Sequence, residues 1–323
     1  MRRREFFTLV GGVSALPLTA IHAQPSAMPT VGVLWPGAEP PAPPRMESFR
    51  QVLRQLGYIE GQNLAIELRY ARSGLQQLPE LAAELVRMKV DVITAFGDLT
   101  PKIAAQATST IPIVAISDDI VGAGLVGSLS RPERNMTGLT IMSPELSAKR
   151  LELLREIVPG ISRVAALWDP TTGASQVVLT ERAAKSLDLS LQVLEVKQRE
   201  DVARCFHAAR DERANAINVF SSPFLASLFR EIIVLSAEYR LPAIYQWKEH
   251  VEAGGLVSFG PSLAAMFRQT ATIVVKILKG ARPSDIPVEQ PIKFELAVNA
   301  RTAHALGLAI PSPLLVRADE VIE

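Results

Sequence analysis

Short apolar runs alternate with segments of helical period along nearly the whole chain, and this alternation restricts the fold more than any other feature. Val31–Trp35 is a short apolar strand, followed over Arg45–Leu56 by Phe49, Val52, Leu53 and Leu56 at helical spacing, with Gly57 as a stop. Leu64–Tyr70 alternates as a strand, and Pro79–Lys89 carries Leu81, Leu85 and Met88 on one helical face. Val90–Phe96 and Ile111–Ile116 read as buried strands on either side of a helix over Pro101–Thr108. The series then restarts. Helices are expected over Glu145–Val158, Ala174–Leu187, Asp201–Arg213, Pro223–Tyr239 and Leu263–Lys279. Between them lie strands over Arg163–Trp168, Leu191–Val196, Ala216–Phe220, Pro242–Tyr245 and Leu256–Phe259. Repeated strand–helix–strand units imply parallel strands joined by right-handed crossovers. The expected fold is therefore α/β, with two similar lobes, each built on a parallel sheet, and a cleft between them.

Composition supports this reading. Apolar residues make up 48% of the 323 and aromatics only 6%, so Leu, Val, Ile and Ala must fill the core. That balance suits parallel sheets covered by helices on both faces. The N-terminus reads separately. Met1-Arg2-Arg3-Arg4-Glu5-Phe6-Phe7-Thr8, an apolar run over Leu9–Ala20 and a small residue at Ala23 together make a secretory signal peptide spanning residues 1–23. Arg3 and Arg4 followed by Phe6-Phe7 give it twin-arginine character. The run is too short and too rich in Gly, Ser and Pro to span a bilayer. The leader carries three arginines and one glutamate, so its removal takes the formal charge from +1 to −1. A near-neutral chain offers no electrostatic basis for binding nucleic acid. The single cysteine, Cys205, excludes an internal disulfide, a cysteine zinc site and a lipid anchor at the new N-terminus. The expected location is the periplasm.

Several segments, in order and spacing over about 300 residues, resemble one family. They are Phe49–Gly61 (FRQVLRQLGYIEG), Leu78–Val92 (LPELAAELVRMKVDV), Gly124–Leu129, Asn135–Leu139, Lys149–Gly160 (KRLELLREIVPG), Pro242–Tyr245, Val251–Ser262 (VEAGGLVSFGPS), Ile277–Gly280, Lys293–Leu296 and Ala318–Glu323. This pattern is similar to that of the ABC-transporter substrate-binding proteins of the tryptophan and tyrosine uptake type. The resemblance implies the type I periplasmic binding fold, two Rossmann-like lobes with three chain crossings at a hinge, near Met142, Gly260 and Ile292. Lobe one would hold 24–142 plus 260–292, and lobe two 143–259 plus 293–323. The helix Leu263–Lys279 would pack on lobe one, with Pro283–Pro291 as an extended connector and a C-terminal helix on lobe two. A small-molecule ligand, a membrane permease as partner, a monomeric state and the absence of a cofactor or metal are the corresponding expectations.

Ligands of open parallel sheets bind beyond the carboxyl ends of the strands. Applied here, that rule selects Trp35, Phe96, Gly97, Asp98, Ser117 and Asp118 from the first series. It selects Asp169, Thr171, Ser221, Ser222 and Tyr245 from the second, with Gly260 at the return crossing. Hydroxyls and free backbone N–H groups suit a carboxylate, the aromatic rings an apolar side chain, and Asp118 an ammonium. Capping of helices by Asp98, Asp169 or Ser222, and core packing of Trp35 and Phe96, are the alternative roles. Relatives commonly carry small residues where this chain has Gly97-Asp98, and Gly-Asp-Pro-Val where it has Ser117-Asp118-Asp119-Ile120-Val121. The added acids favour a more cationic or hydroxylated ligand.

Competing motifs are weak. Gly122-Ala123-Gly124-Leu125-Val126-Gly127 has dinucleotide-fingerprint spacing, but Ser117–Ile120 intervenes after the strand and Ser128–Thr137 reads as loop. His207, His250 and His304 lack neighbours that would make a base or a metal site, and no serine sits in a nucleophile elbow. A hydrolase is thus disfavoured. A DNA-binding regulator would need a helix-turn-helix where the leader stands. A periplasmic sensor subunit reporting to a membrane receptor is the remaining alternative.

Overall fold

The computed structural model describes residues 28–37 and 43–323. The leader reading lies outside the described residues. Chain order in the first half is β1 (Thr30–Trp35), α1 (Pro43–Gln55), β2 (Ala65–Tyr70), α2 (Leu78–Arg87), β3 (Val92–Phe96), α3 (Leu99–Ala107), β4 (Ile113–Ser117) and β5 (Met136–Thr140). The second half begins with α4 (Ser147–Ile157), β6 (Arg163–Trp168), α5 (Ser175–Ser186), β7 (Ser190–Glu195), α6 (Asp201–Asp211), β8 (Ala216–Val219), α7 (Pro223–Ser227) and α8 (Phe229–Glu238). It continues with β9 (Ala243–Tyr245), α9 (Lys248–Glu252), β10 (Val257–Pro261), α10 (Leu263–Leu278), β11 (Phe294–Asn299), α11 (Ala300–Ala305), α12 (Ser312–Arg317) and β12 (Glu320–Ile322).

Two sheets form. The first has strand order β2-β1-β3-β4-β5 and is parallel throughout. The second has order β12-β11-β10-β9-β8-β6-β7, parallel except where β10 meets β11. The α/β class expected from the alternation is thus the observed one. Strand period 2 explains how each sheet buries both faces. Val31 and Val33 of β1, Val92 and Phe96 of β3, and Val114 and Ile116 of β4 point to one core, shared with α1 and α10. Leu34, Ile93, Ala95, Ile113 and Ala115 point to the other, shared with α2 and α3. The second sheet does the same, with Val164, Ala216 and Ile244 on one face and Ala165, Leu167, Ile217, Val219 and Tyr245 on the other.

Some elements depart from the sequence reading. Thr137, at the end of the span read as loop, lies inside strand β5. The strand reads Met-Thr-Gly-Leu-Thr and lacks an apolar run. Its glycine is required, because Gly138 has φ +148° and a Cβ there would stand 1.9 Å from the Ala115 carbonyl oxygen. The helix expected over Pro223–Tyr239 is two, α7 and α8, divided at Leu228. The C-terminal segment adds not only helices but also the strands β11 and β12 to the second sheet. Residues 118–135, which include the glycine-spaced segment, form turns and bends with no helix after β4. The dinucleotide geometry is therefore not built there. His250 lies in α9 and is 2% exposed.

Candidate functional site

The carboxyl ends of β3, β4, β6 and β8 meet between the two sheets. A cavity there is lined by Pro36, Phe96, Gly97, Asp98, Leu99 and Thr100 from the first sheet's side. Asp169, Thr171, Thr172, Pro223 and Phe224 line it from the second. Its free volume is about 10 Å³, near the minimum for one water. The two sides are therefore in contact. Gly97 marks a close approach: its φ is +81°, and a Cβ on it would lie 2.7 Å from Pro223 Cγ.

Three carboxylates gather at this junction. Asp98 occupies the N-cap position of α3 yet makes no capping hydrogen bond. Its Oδ1 accepts instead from Ser117 Oγ at 2.5 Å and from the Asp118 backbone N–H at 3.0 Å. Asp169 is fully engaged, accepting from Thr171 N and Thr171 Oγ1 at 2.9 Å each and from Ser222 Oγ at 2.6 Å. Ser222 also caps α7, accepting from Phe224 N and Leu225 N. The Gln176 side chain donates to the Ser221 carbonyl and accepts its N–H, both at 2.9 Å, which fixes the loop after β8.

Asp118 differs from both. It is 1% exposed and neither carboxylate oxygen has a hydrogen-bond partner among the described residues. The hydroxyls of Ser221 and Ser143 face it without well-formed hydrogen bonds. Burial raises the pKa of Asp118; Ser221, Ser143 and Arg150 oppose the rise. Asp98 is raised too, first by burial and then by the charge of Asp118. Arg150 on α4 is the buried counter-charge. Its Nε donates to the Phe259 carbonyl at 2.9 Å and its Nη1 to the Ser143 carbonyl at 3.3 Å, while Nη2 has no partner. Burial lowers its pKa to about 10 despite Asp118. One arginine among three acids leaves the junction short of positive charge, and an unpartnered buried carboxylate is costly unless a cation reaches it.

Of the residues expected from sequence, Phe96, Gly97, Asp98, Asp169 and Thr171 line the cavity. Ser117 and Asp118 stand directly behind Asp98, Ser222 is bonded to Asp169, and Ser221 faces Asp118. Trp35 is set back, meeting Phe96 edge-on at 5.0 Å, and Phe96 stacks on Phe267 at 5.2 Å. Tyr245 is elsewhere: it is 1% exposed and packs with Phe206 and Ile232 under α6 and α8. Gly260 is buried in β10, where a Cβ would lie 2.2 Å from the Gln246 carbonyl oxygen. Sequence reasoning missed Arg150 and Ser143. A signal for Arg150 was present, because it shares a helical stripe with Leu146, Leu153, Leu154 and Ile157.

A second junction lies nearby. Trp247, which follows β9, is 6% exposed and packs with the α1–α10 side of the first sheet, in one cluster with Met46 and Met266. Arg45 of α1 faces Glu249 and His250 of α9. Burial, helped by Arg45, pushes the His250 pKa down to about 3, so the ring is neutral.

Two sheet-based lobes closing on a buried polar junction define a type I periplasmic binding protein. Residues 33–322 match the ABC transporter substrate binding protein family, and the chain belongs to that family. A tyrosine-binding protein of Clostridioides difficile strain R20291 is 24% identical over 266 residues, which is 81% of this chain and 76% of the relative. Among solved structures, a conserved domain protein from Vibrio cholerae superposes with a TM-score of 0.84 at 27% identity, covering 91% of this chain and all of the other. An ABC domain from Streptococcus pneumonia in complex with L-Trp gives 0.85 at 23% identity, covering 92% and 100%. Family and relatives are binding proteins rather than enzymes. No helix among the described residues is long and apolar enough to cross a membrane.

Proposed function

We propose that the chain is the extracytoplasmic solute-binding component of an ABC importer, and that it captures a small amine-bearing solute, an amino acid or a close relative, by closing two lobes around it. The observation that carries this reading is Asp118, a carboxylate buried between the lobes with neither oxygen hydrogen-bonded. An ammonium group meets that need with two or three charge-assisted hydrogen bonds. The unpartnered Nη2 of Arg150 suits the carboxylate of the same solute. Phe96, backed by Trp35 and Phe267, supplies an apolar wall. The relatives whose names mention tyrosine and tryptophan support an amino acid, while Asp98 and Asp118 favour one with more positive charge.

The lobe division at 24–142 plus 260–292, against 143–259 plus 293–323, is part of the proposal. Support comes from α10, which packs on the first sheet, and β11, which joins the second. Met142, at the first crossing, has φ +58°, a conformation costly for a residue with a Cβ. Export by the leader at 1–23, release into the periplasm and docking of the closed form on a permease complete the account. Hinge closure follows when the ligand prefers the closed state. A thermal-shift screen of the purified protein against amino acids and polyamines is the test. A shift from an amine-bearing compound, together with lost uptake of that compound when the partner permease is deleted, is the expected result. A response to neutral or purely anionic solutes only, or uptake unaffected by the deletion, would overturn it.

A further inference from the structure

A second cavity lies away from the interlobe junction. It has a volume of about 340 Å³ and opens between α8 and α11, over the starts of β9 and β10. That volume falls within the range of small-molecule sites. Its walls are mainly apolar, with Leu241 and Leu306 among them. Three polar features break that surface. Arg240 and Arg301 line the cavity, and neither has an acidic partner within salt-bridge distance among the described residues. The third is Tyr245, whose hydroxyl is buried and makes no well-formed hydrogen bond among the described residues. Ser236 faces it, its own hydroxyl donating to the Ile232 carbonyl at 2.7 Å. The room beside the ring depends on Gly255, since a Cβ there would lie 2.7 Å from Tyr245 Cε2.

A buried hydroxyl without a partner is unfavourable unless something reaches it. Two unpaired guanidinium groups on an apolar cavity attract an anion. We propose that this cavity is a second ligand site, taking a small aromatic carboxylate whose anion meets Arg240 and Arg301 and whose far end carries an oxygen that bonds the Tyr245 hydroxyl. The flat apolar body of such a ligand matches the walls between these groups. This site is independent of the interlobe cleft and of the solute held there.

The probe is 4-hydroxybenzoate, titrated calorimetrically into the protein. Saturable binding of millimolar affinity or tighter is expected. The double change R240A and R301A should weaken it by about ten-fold, without lowering the melting temperature, since both side chains are exposed. Tyr245→Phe should weaken it about three-fold or more. The neutral 4-hydroxybenzyl alcohol should bind more weakly than the acid to the wild type and equally to the arginine double variant. A crystal soaked in 3-bromo-4-hydroxybenzoate should place its bromine beside Tyr245. Absence of saturation, binding indifferent to the two arginines, or bromine located in the interlobe cleft would each overturn the proposal.

Discussion

Gly97 and Asp118 show how single residues set the behaviour of the cleft. Gly97 combines a left-handed backbone with direct contact on Pro223 of the opposite lobe. Gly97→Ala therefore carries two costs: about 1–2 kcal/mol of backbone strain, and a clash that exists only when the lobes are closed. Gly160→Ala isolates the first cost, since Gly160 has φ +68° with nothing within 4 Å of its Cβ position. Chemical denaturation without ligand should show a loss for Gly97→Ala that exceeds the loss for Gly160→Ala by at most the few kcal/mol that separate closed from open forms. Ligand affinity should fall about ten-fold or more for Gly97→Ala only, and equal affinities would show that Gly97 does not govern closure. At this scale the sequence was informative for residues that follow strands directly, because strand ends converge in any parallel sheet. Tyr245 obeyed the same rule yet points into the lobe-two core. Period 2 places it on the face of Ala243, under α6 and α8, and chain position alone does not reveal which face is the cleft. Arg150 was overlooked because a charged side chain is rarely fully buried, even within an apolar helical stripe.

At the scale of elements, strands buried on both faces were legible as apolar runs and helices by their period. The failures have physical causes. β5 is held by backbone pairing to β4 and flanked by the connector at Glu289, so it needs no apolar run. The break at Leu228 turns the chain between α7, capped by Ser222, and α8, without a glycine or proline to announce it. The segment between β9 and α9 matters most, because it sends Trp247 from one lobe into the core of the other. Trp247→Ala removes about 3–5 kcal/mol of packing, which exceeds the few kcal/mol that typically separate open from closed forms. The ligand-free variant should therefore be open, with a larger radius of gyration by small-angle scattering than the wild type. An unchanged radius would mean that Trp247 stabilises one lobe and plays no part in closure.

For the whole molecule, the electrostatic imbalance at the junction predicts a dependence on pH. Asp98 and Asp118 ionise at higher pH when folded than when unfolded, through burial first, with the charge of Asp118 adding to the rise at Asp98 and that of Asp169 to the rise at Asp118. The folded state thus binds more protons than the unfolded state above the ordinary carboxylate value of about 4. Their contribution to stability is fully present below that value and is lost as pH rises through the raised one. The melting temperature of the ligand-free protein should fall between about pH 4.5 and 7.5. Asp118→Asn should flatten this fall and leave the protein at least as stable at neutral pH. A steeper fall in the variant would refute the assignment. Amine binding should have the opposite sign, tightening over the same interval as the carboxylates become charged.

The proposed selection of an amine rests on a buried carboxylate between two closing lobes. It is tested most directly by titrating the protein, calorimetrically, with the amino acid that shifts its melting temperature most and with the des-amino counterpart of that compound. The des-amino compound should bind about 100-fold more weakly, and Asp118→Asn should abolish the difference. Equal affinities for the two compounds in the wild type would contradict it.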